Sequence, residues 1–325
     1  DSRIFSEVRH VNKEVRGEVT DIREAAQIVR PDDIVLLHLS MGSPVNDLFR
    51  ELRCRKAILY HNITPPHYFR GILNPVARDL QKGRDQIATL RDSAAVVMAV
   101  SEFNAGELRA AGYRDVNILP LVLDLSRLRG EADRGFLRQY SDGKTNVLFV
   151  GRCVPNKKIE DALQAFYYFQ KFVEPNSRFI FAGSYTGLGK YHALLLTVQR
   201  DLELENVEMP GPLHQNKLNA LYRTAHLFLC ASEHEGFCIP LIESMVHDVP
   251  VLAYAAAAVP ETLDGAGVLF REKKYDQIGE MMGRLVRDQA FRAAVIRGQR
   301  ERLARYEKRD LGAELRAHLA PLLKA

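Results

Sequence analysis

Short apolar runs rich in Val, Ile, Leu and Phe alternate along most of the chain with longer stretches in which apolar residues recur every three or four positions. The runs 34-IVLLHL-39, 57-AILYH-61, 95-AVVMAV-100, 117-NILPL-121, 146-NVLFVG-151, 178-RFIFAG-183, 226-HLFLCA-231 and 250-PVLAYA-255 have the near-continuous apolar character of strands buried on both faces. Amphipathic segments such as 159-IEDALQAFYYFQKF-172, 290-AFRAAVIRGQRERLARY-306 and 309-RDLGAELRAHLAPLLK-324 predict helices. Such alternation predicts parallel sheets covered by helices. The strands fall into two groups of four, separated by the charged, glycine-containing stretch 124-DLSRLRGEADRGFLRQYSDGKT-145. The expected division is therefore a first domain over 1–125, a linker over 126–145, a second domain over 146–306, and a terminal helix over 307–325 reaching back to the first.

Composition narrows the class. With 325 residues, 46% of them hydrophobic and 26% charged, the chain is globular and has room for two domains. No run of 18 apolar residues predicts a membrane span, and the opening DSRIFSEVRH has the character of neither a secretory signal nor a transit peptide. A cytoplasmic protein is expected. Four widely spaced cysteines, Cys54, Cys153, Cys230 and Cys238, form no C-x-x-C and read as buried thiols in a reducing compartment. A net charge of +4, without interleaved aromatics, gives no reason to expect a nucleic-acid partner. Between 50 and 91, Arg50, Arg53, Arg55, Lys56, Arg70, Arg78, Lys82, Arg84 and Arg91 outnumber Glu51, Asp79 and Asp85. That bias suits an anionic lipid or lipid diphosphate at a membrane surface, or else an ordinary solvated helix face.

Candidate chemistry lies where predicted strands end. After 226-HLFLCA-231, a loop carries Glu235 and Gly236, and Pro240 marks a helix start that would put Glu243 in the first turn. The N–H groups of Gly236, Phe237 and Cys238 would there face hydroxyls or anions. Two carboxylates would flank one ligand, or Glu243 would merely complement the helix dipole while Glu235 stays solvated. After 146-NVLFVG-151, the loop 152-RCVPNKK-158 places Arg152 and Lys157 at the same sheet edge. A guanidinium and an ammonium together suit a diphosphate, although each alone is commonly a surface charge. Ser184 opens the glycine-rich loop 183-GSYTGLGK-190, which either lines a nucleotide or simply turns the chain. His61 ends 57-AILYH-61 ahead of NITPPHYF, as a crevice residue or a packed histidine, and His38 ends 34-IVLLHL-39 more ambiguously.

The order GRCVPNKK, GPLHQNKLNALYRTAHLFLCASEHEGFCIPLIESM and VPVLAYAAAAVPETLDGAGVLF resembles the second domain of retaining GT-B glycosyltransferases of family four. The E-x7-E spacing of Glu235 and Glu243 within S-E-x-E-G-F is specific in that company. YHNITPPHYF and VSEFNAGELRAAGY resemble first-domain signatures of the bacterial members that build surface polysaccharides. The resemblance runs over residues 34 to 270. It departs at Lys158, where the family has glycine.

The resemblance implies two Rossmann-like domains facing across a cleft. It implies that Arg152 and Lys157 hold a donor diphosphate, that Glu243 binds ribose hydroxyls, and that Glu235 with the N–H groups of Gly236, Phe237 and Cys238 grips the sugar. Ser184 joins the donor-binding set, and His61 approaches the sugar from the first domain. The implied reaction moves a hexose with retention, mannose from GDP-mannose being favoured, onto a glycan or lipid-linked glycan. No metal or other cofactor is expected, since no D-x-D-like cluster sits at a strand end and the cations can neutralise the leaving group. Other classes remain open: a sugar phosphorylase of similar build, or a non-enzymatic sugar-nucleotide binding protein. Glycoside hydrolysis by the paired carboxylates would leave Arg152 and Lys157 without a role. A doubly wound first domain should also open with a strand, a glycine turn and a helix. Against the family, roughly 25 to 40 residues should then precede Asp1, and the first sheet should have an unfilled strand position.

Overall fold

The computed structural model describes residues 2–323. The chain divides into two compact units. One comprises residues through His67, Pro75–Pro120 and the segment from Leu311; the other comprises Tyr68–Asn74 and Leu121–Asp310.

In the first unit β1 (Ile4–Ser6) and β2 (Val19–Asp21) form a small parallel pair. The main sheet is parallel, in the order β3 (Ile34–Leu39), β4 (Arg55–Tyr60), β5 (Val96–Ala99), β6 (Val116–Ile118), so β3 lies at an edge. All four strands coincide with predicted apolar runs to within about three residues at either end. Helix Leu311–Leu323 belongs to this unit, where Arg55 Nη1 donates to the carbonyl of Leu322 at 2.7 Å.

The second unit has six parallel strands: β7 (Thr145–Val150), β8 (Ser177–Ala182), β9 (Val207–Gly211), β10 (Leu227–Cys230), β11 (Val251–Tyr254) and β12 (Val268–Phe270). Their order is β12-β11-β10-β7-β8-β9. The chain thus starts in the middle, winds outward to β9, returns to β10 beside β7, and winds outward the other way. This is the doubly wound arrangement, and ligands bind such sheets at the carboxyl ends of the strands where the order reverses. Here those strands are β7 and β10. Every residue of β8 and β10 is buried; β10 reads as a continuous apolar run, and β8 does so after Ser177 and Arg178. Phe149, Phe166, Phe169, Phe179 and Phe181 fill the core between sheet and helices. Gln299, fully buried on helix Gln289–Glu307, accepts from the Val251 N–H at 2.9 Å and donates to the Val249 carbonyl at 2.8 Å.

Two expectations change. The stretch 126–145, read as a linker, is built into the second unit as helices Leu125–Arg129 and Arg134–Tyr140, and Asn219 Nδ2 donates to the carbonyls of Arg127 and Glu131 at 3.0 and 3.2 Å. Its charge is that of the outer helix faces; Leu128 and Tyr140 turn inward and are buried. Residues 68–74, assigned by sequence to the first domain, fold with the second, where Ile72 packs on its core. Among the described residues no helix is long and apolar enough to cross a membrane.

Candidate active site

At the carboxyl end of β7 the chain turns through Gly151 into a short 3-10 turn, Pro155–Lys157, before helix Ile159–Tyr168. At the end of β10 it passes through Ser232–Cys238 into helix Ile239–Val246. Hydrogen bonds stitch the two loops together. Asn156, buried, donates from Nδ2 to the His234 carbonyl at 2.9 Å, and its own carbonyl accepts from the Glu233 N–H at 2.9 Å. Beside them Lys157 Nζ lies 2.6 Å from Glu235 Oε1, with side chains only 14% and 11% exposed. Burial disfavours the ammonium, but the adjacent Glu235 carboxylate outweighs it and raises the Lys157 pKa above its ordinary value. An ammonium has three donors, so Lys157 can serve Glu235 and still offer protons to a further anion.

The other candidates take distinct places. Arg152 is exposed on the same loop, and among the described residues it makes no ion pair. Glu233, the first acid of the S-E-x-E-G run, is engaged elsewhere: Lys273 Nζ bridges it to Asp161, and Lys158 Nζ is 3.9 Å away. The N–H groups of Phe237 and Cys238 donate to no other group among the described residues. The Phe237 carbonyl is held by the Thr262 hydroxyl. Ser184 turns its hydroxyl onto the Thr186 N–H at 3.2 Å, and its carbonyl accepts from the Cys153 N–H at 2.9 Å, so its loop is joined to the β7 loop. Lys158, where the family has glycine, adopts φ 51° at the cap of helix Ile159–Tyr168. Only glycine enters that left-handed region freely, which is why a glycine there is the easier choice.

Glu243 differs from its expected place. Helix Ile239–Val246 begins one residue before Pro240, so Glu243 lies in the second turn and not the first. There the dipole contributes little. It is instead fixed by Tyr222, whose hydroxyl donates to Glu243 Oε2 at 2.7 Å. Burial raises the Glu243 pKa, and the Tyr222 hydrogen bond only partly opposes this. The folded state therefore holds its proton more tightly than the unfolded chain does. Its contribution to stability is greatest below the ordinary carboxylate pKa and is lost as pH rises through the raised value. Glu243→Gln, which keeps an acceptor for Tyr222, is expected to raise the melting temperature at neutral pH, with the gain shrinking as pH falls through that window. Melting scans from pH 4 to 8 check this, and a gain that does not vary with pH would contradict it.

His61 belongs to the first unit, just past β4, and His38 is the penultimate residue of β3. His38 Nδ1 and His61 Nε2 are 2.8 Å apart, with stacked rings at 5.0 Å. Burial, then the neighbouring His38, lowers the His61 pKa to about 4, so the ring is neutral at pH 7. A lowered histidine pKa means the unfolded chain binds more protons between the ordinary value and about 4. Stability is then lost as pH falls through that interval. His61→Gln should flatten this acid limb of the melting curve, and an unchanged limb would contradict the assignment.

Several partners were not legible in the sequence. Asn156 and Tyr222 hold Lys157's loop and Glu243 in place, yet neither stood out. Cys230 reads in the sequence only as a buried thiol, but its Sγ is 4.0 Å from Cys238 Sγ, and with Glu235 these form a group whose ligand atoms lie within 4.8 Å of one another. That trio could hold a metal. A thiol at a strand end and another at the following helix start, eight residues on, was the available signal.

Residues 137–319, more than half of the chain, match the family model of glycosyl transferases group 1. The chain belongs to that family. It is 26% identical over 214 residues to O-antigen chain mannosyltransferase B of Escherichia coli, covering 64% of this chain and 56% of the relative. It is also 26% identical over 186 residues to the GDP-mannose:cellobiosyl-diphosphopolyprenol alpha-mannosyltransferase of Xanthomonas oryzae pv. oryzae, covering 53% and 47%. The chain thus spans about half the length of these curated relatives. Among solved structures, Anabaena HepE in complex with UDP-glucose superimposes with a TM-score of 0.75 at 16% identity, over 96% of this chain and 88% of that one. Sucrose-phosphate synthase from Thermosynechococcus elongatus gives 0.74 at 17% identity, over 93% and 76%. At such identities the likeness concerns the fold, which is GT-B, as the sequence resemblance implied.

Proposed function

We propose that this protein is a retaining, nucleotide-sugar-dependent hexosyltransferase that takes mannose from GDP-mannose and adds it to a growing, lipid-linked surface glycan. The observation that carries the reading is the Lys157–Glu235 pair on loops joined at the reversal point of the second sheet. Lys157, kept charged by Glu235, and the exposed Arg152 neutralise the diphosphate as the glycosidic bond breaks. Cations fixed in advance around a leaving group lower its barrier. Glu243 accepts from the ribose hydroxyls, and Glu235 with the N–H groups of Phe237 and Cys238 orients the sugar. His61 supplies a neutral imidazole for the sugar and acceptor. Retention follows from attack on the leaving-group side, with the departing phosphate oxygen taking the acceptor's proton. Mannose is supported by the activities named in the two curated relatives.

A lipid-linked acceptor fits a basic contact with a membrane surface through 50–91, though intramolecular partners reduce the number of bases available. Arg55, Lys56, Lys82, Arg84 and Arg91 are engaged with Leu322, Arg50, Asp47, Glu107 and Asp92.

Calorimetric titration of GDP-, UDP- and dTDP-sugars tests the donor. GDP-mannose should bind at least about tenfold more tightly than the others, and release of free nucleotide should accompany transfer with or without a chelator. Preference for a UDP-sugar would remove the mannose reading. Sugar 1-phosphate formation from inorganic phosphate and glycan would replace the transferase by a phosphorylase. Abolition by chelator, restored by Mg²⁺ or Mn²⁺, would remove the metal-free account.

A further inference from the structure

The trio Cys230, Glu235 and Cys238 has a geometry that donor binding does not require. Cys230 is the last residue of β10, and Cys238 caps helix Ile239–Val246 with φ 69°. The thiols are 2% and 6% exposed. Their position is held from outside: the Thr262 hydroxyl binds the neighbouring Phe237 carbonyl, and Ala258 N–H donates to the Glu235 carbonyl at 3.2 Å. The buried Ser232 hydroxyl lies against the Cys230 sulfur. A disulfide needs sulfurs about 2.05 Å apart, whereas two thiolates at about 2.3 Å from one tetrahedral zinc stand roughly 3.8 Å apart. The observed separation is 4.0 Å. Glu235 offers a carboxylate oxygen within 4.8 Å of both sulfurs.

We infer that Cys230, Cys238 and Glu235 form a binding site for a thiophilic divalent cation of the Zn²⁺ class, and that its occupation takes Glu235 away from Lys157. Binding forms two metal–sulfur bonds and one metal–oxygen bond, both thiol protons pass to solvent, and the fourth position stays open to water. The Lys157 ammonium, 2.6 Å from Glu235 in the metal-free arrangement, opposes the cation by charge and by holding its third ligand. The two states therefore exclude one another. If the transferase reading is right, the cation is an inhibitor, because it strips Glu235 and Lys157 of the arrangement that receives the donor.

The test is titration of the full, reduced chain with Co²⁺ alone, followed by absorption spectroscopy and displacement with Zn²⁺. One equivalent should produce a thiolate-to-cobalt charge-transfer band in the near ultraviolet with tetrahedral ligand-field bands in the visible, and Zn²⁺ should abolish both. Cys230→Ser and Cys238→Ser should each remove the charge-transfer intensity, while Cys153→Ser keeps it. Lys157→Gln should tighten cobalt binding by about tenfold, the scale on which a metal's outer partners tune affinity. Glu235→Gln should weaken binding by a similar factor. No charge-transfer band in the reduced wild type, or equal affinity in Lys157→Gln, would overturn the inference. So would loss of two of the four thiols to a disulfide with no metal uptake. The band is read without donor or acceptor, so it stands or falls separately from the transferase assignment.

Discussion

Lys157→Ala is expected to lower turnover by about a hundredfold or more, the effect of removing one preorganised donor from a developing negative charge. Because Lys157 and Glu235 are mostly buried, the substitution also leaves a carboxylate without its partner. Breaking such a pair by removing one member typically costs roughly 3 to 5 kcal/mol. The two effects separate in Lys157→Ala/Glu235→Gln, which removes the orphaned charge. Melting temperature should recover substantially in the double variant while turnover stays low. Arg152→Ala, at an exposed position, should lower turnover without moving the melting temperature. Recovery of turnover along with stability would mean that Lys157 acts only by holding the fold.

Gly183→Ala should be comparably severe for a different reason. A β-carbon at 183 would lie 1.7 Å from the Gly151 carbonyl oxygen and 2.6 Å from its carbon. Those are backbone atoms of the turn leading into 152–157, so no side-chain rotation relieves the contact. Forcing volume into packed structure costs about 1 to 3 kcal/mol, and more where the backbone must shift. The shift would carry Arg152 and Lys157 with it. Denaturant unfolding should show a loss at or above the top of that range, and nucleotide affinity should fall by about tenfold or more. Wild-type affinity in a stably folded Gly183→Ala chain would show that the 151–157 turn is not what positions the ligand.

Most of the strands legible in the sequence are interior strands buried on both sides. β4, β5, β7, β8, β10 and β11 announce themselves because parallel strands covered by helices have no polar face, whereas β3 and β6 are partly exposed sheet edges that show only through their apolar runs IVLLHL and NILPL. β9 and β12 went unread: Val207–Gly211 is half-buried, lies at a sheet edge and carries Pro210, while Val268–Phe270 is three half-buried residues at the other edge. Edge strands tolerate proline and polar neighbours, which removes the signal. The stretch 126–145 reads as a linker because the charge of outer helix faces resembles absence of structure. Asp124 and Asp133, whose side chains accept from the first-turn N–H groups of the two helices there, were the visible signs of helix starts.

The site was partly legible for a similar reason. Arg152, Lys157, Glu235 and Glu243 follow predicted strand ends, where a doubly wound sheet puts its ligand. What the sequence could not show is convergence across distance. The Lys157–Glu235 contact joins residues 78 apart, and Tyr222 reaches Glu243 across 21. Glu243 falls in the second helical turn and not the first because the chain enters the helix one residue before Pro240, the proline that marks a helix start in the sequence.

In the proposed reading, Lys157 and Arg152 receive a diphosphate at the junction of the β7 and β10 loops. The most direct measurement is calorimetric titration of the wild type and of Arg152→Ala/Lys157→Ala/Glu235→Gln with the tightest-binding nucleoside diphosphate and its monophosphate. The wild type should bind the diphosphate at least about tenfold more tightly, the preference expected of a charge-assisted phosphate contact, and the triple variant should bind the two nucleotides alike. Equal binding of both nucleotides by the wild type, or a preference for the diphosphate that survives in the triple variant, would contradict it.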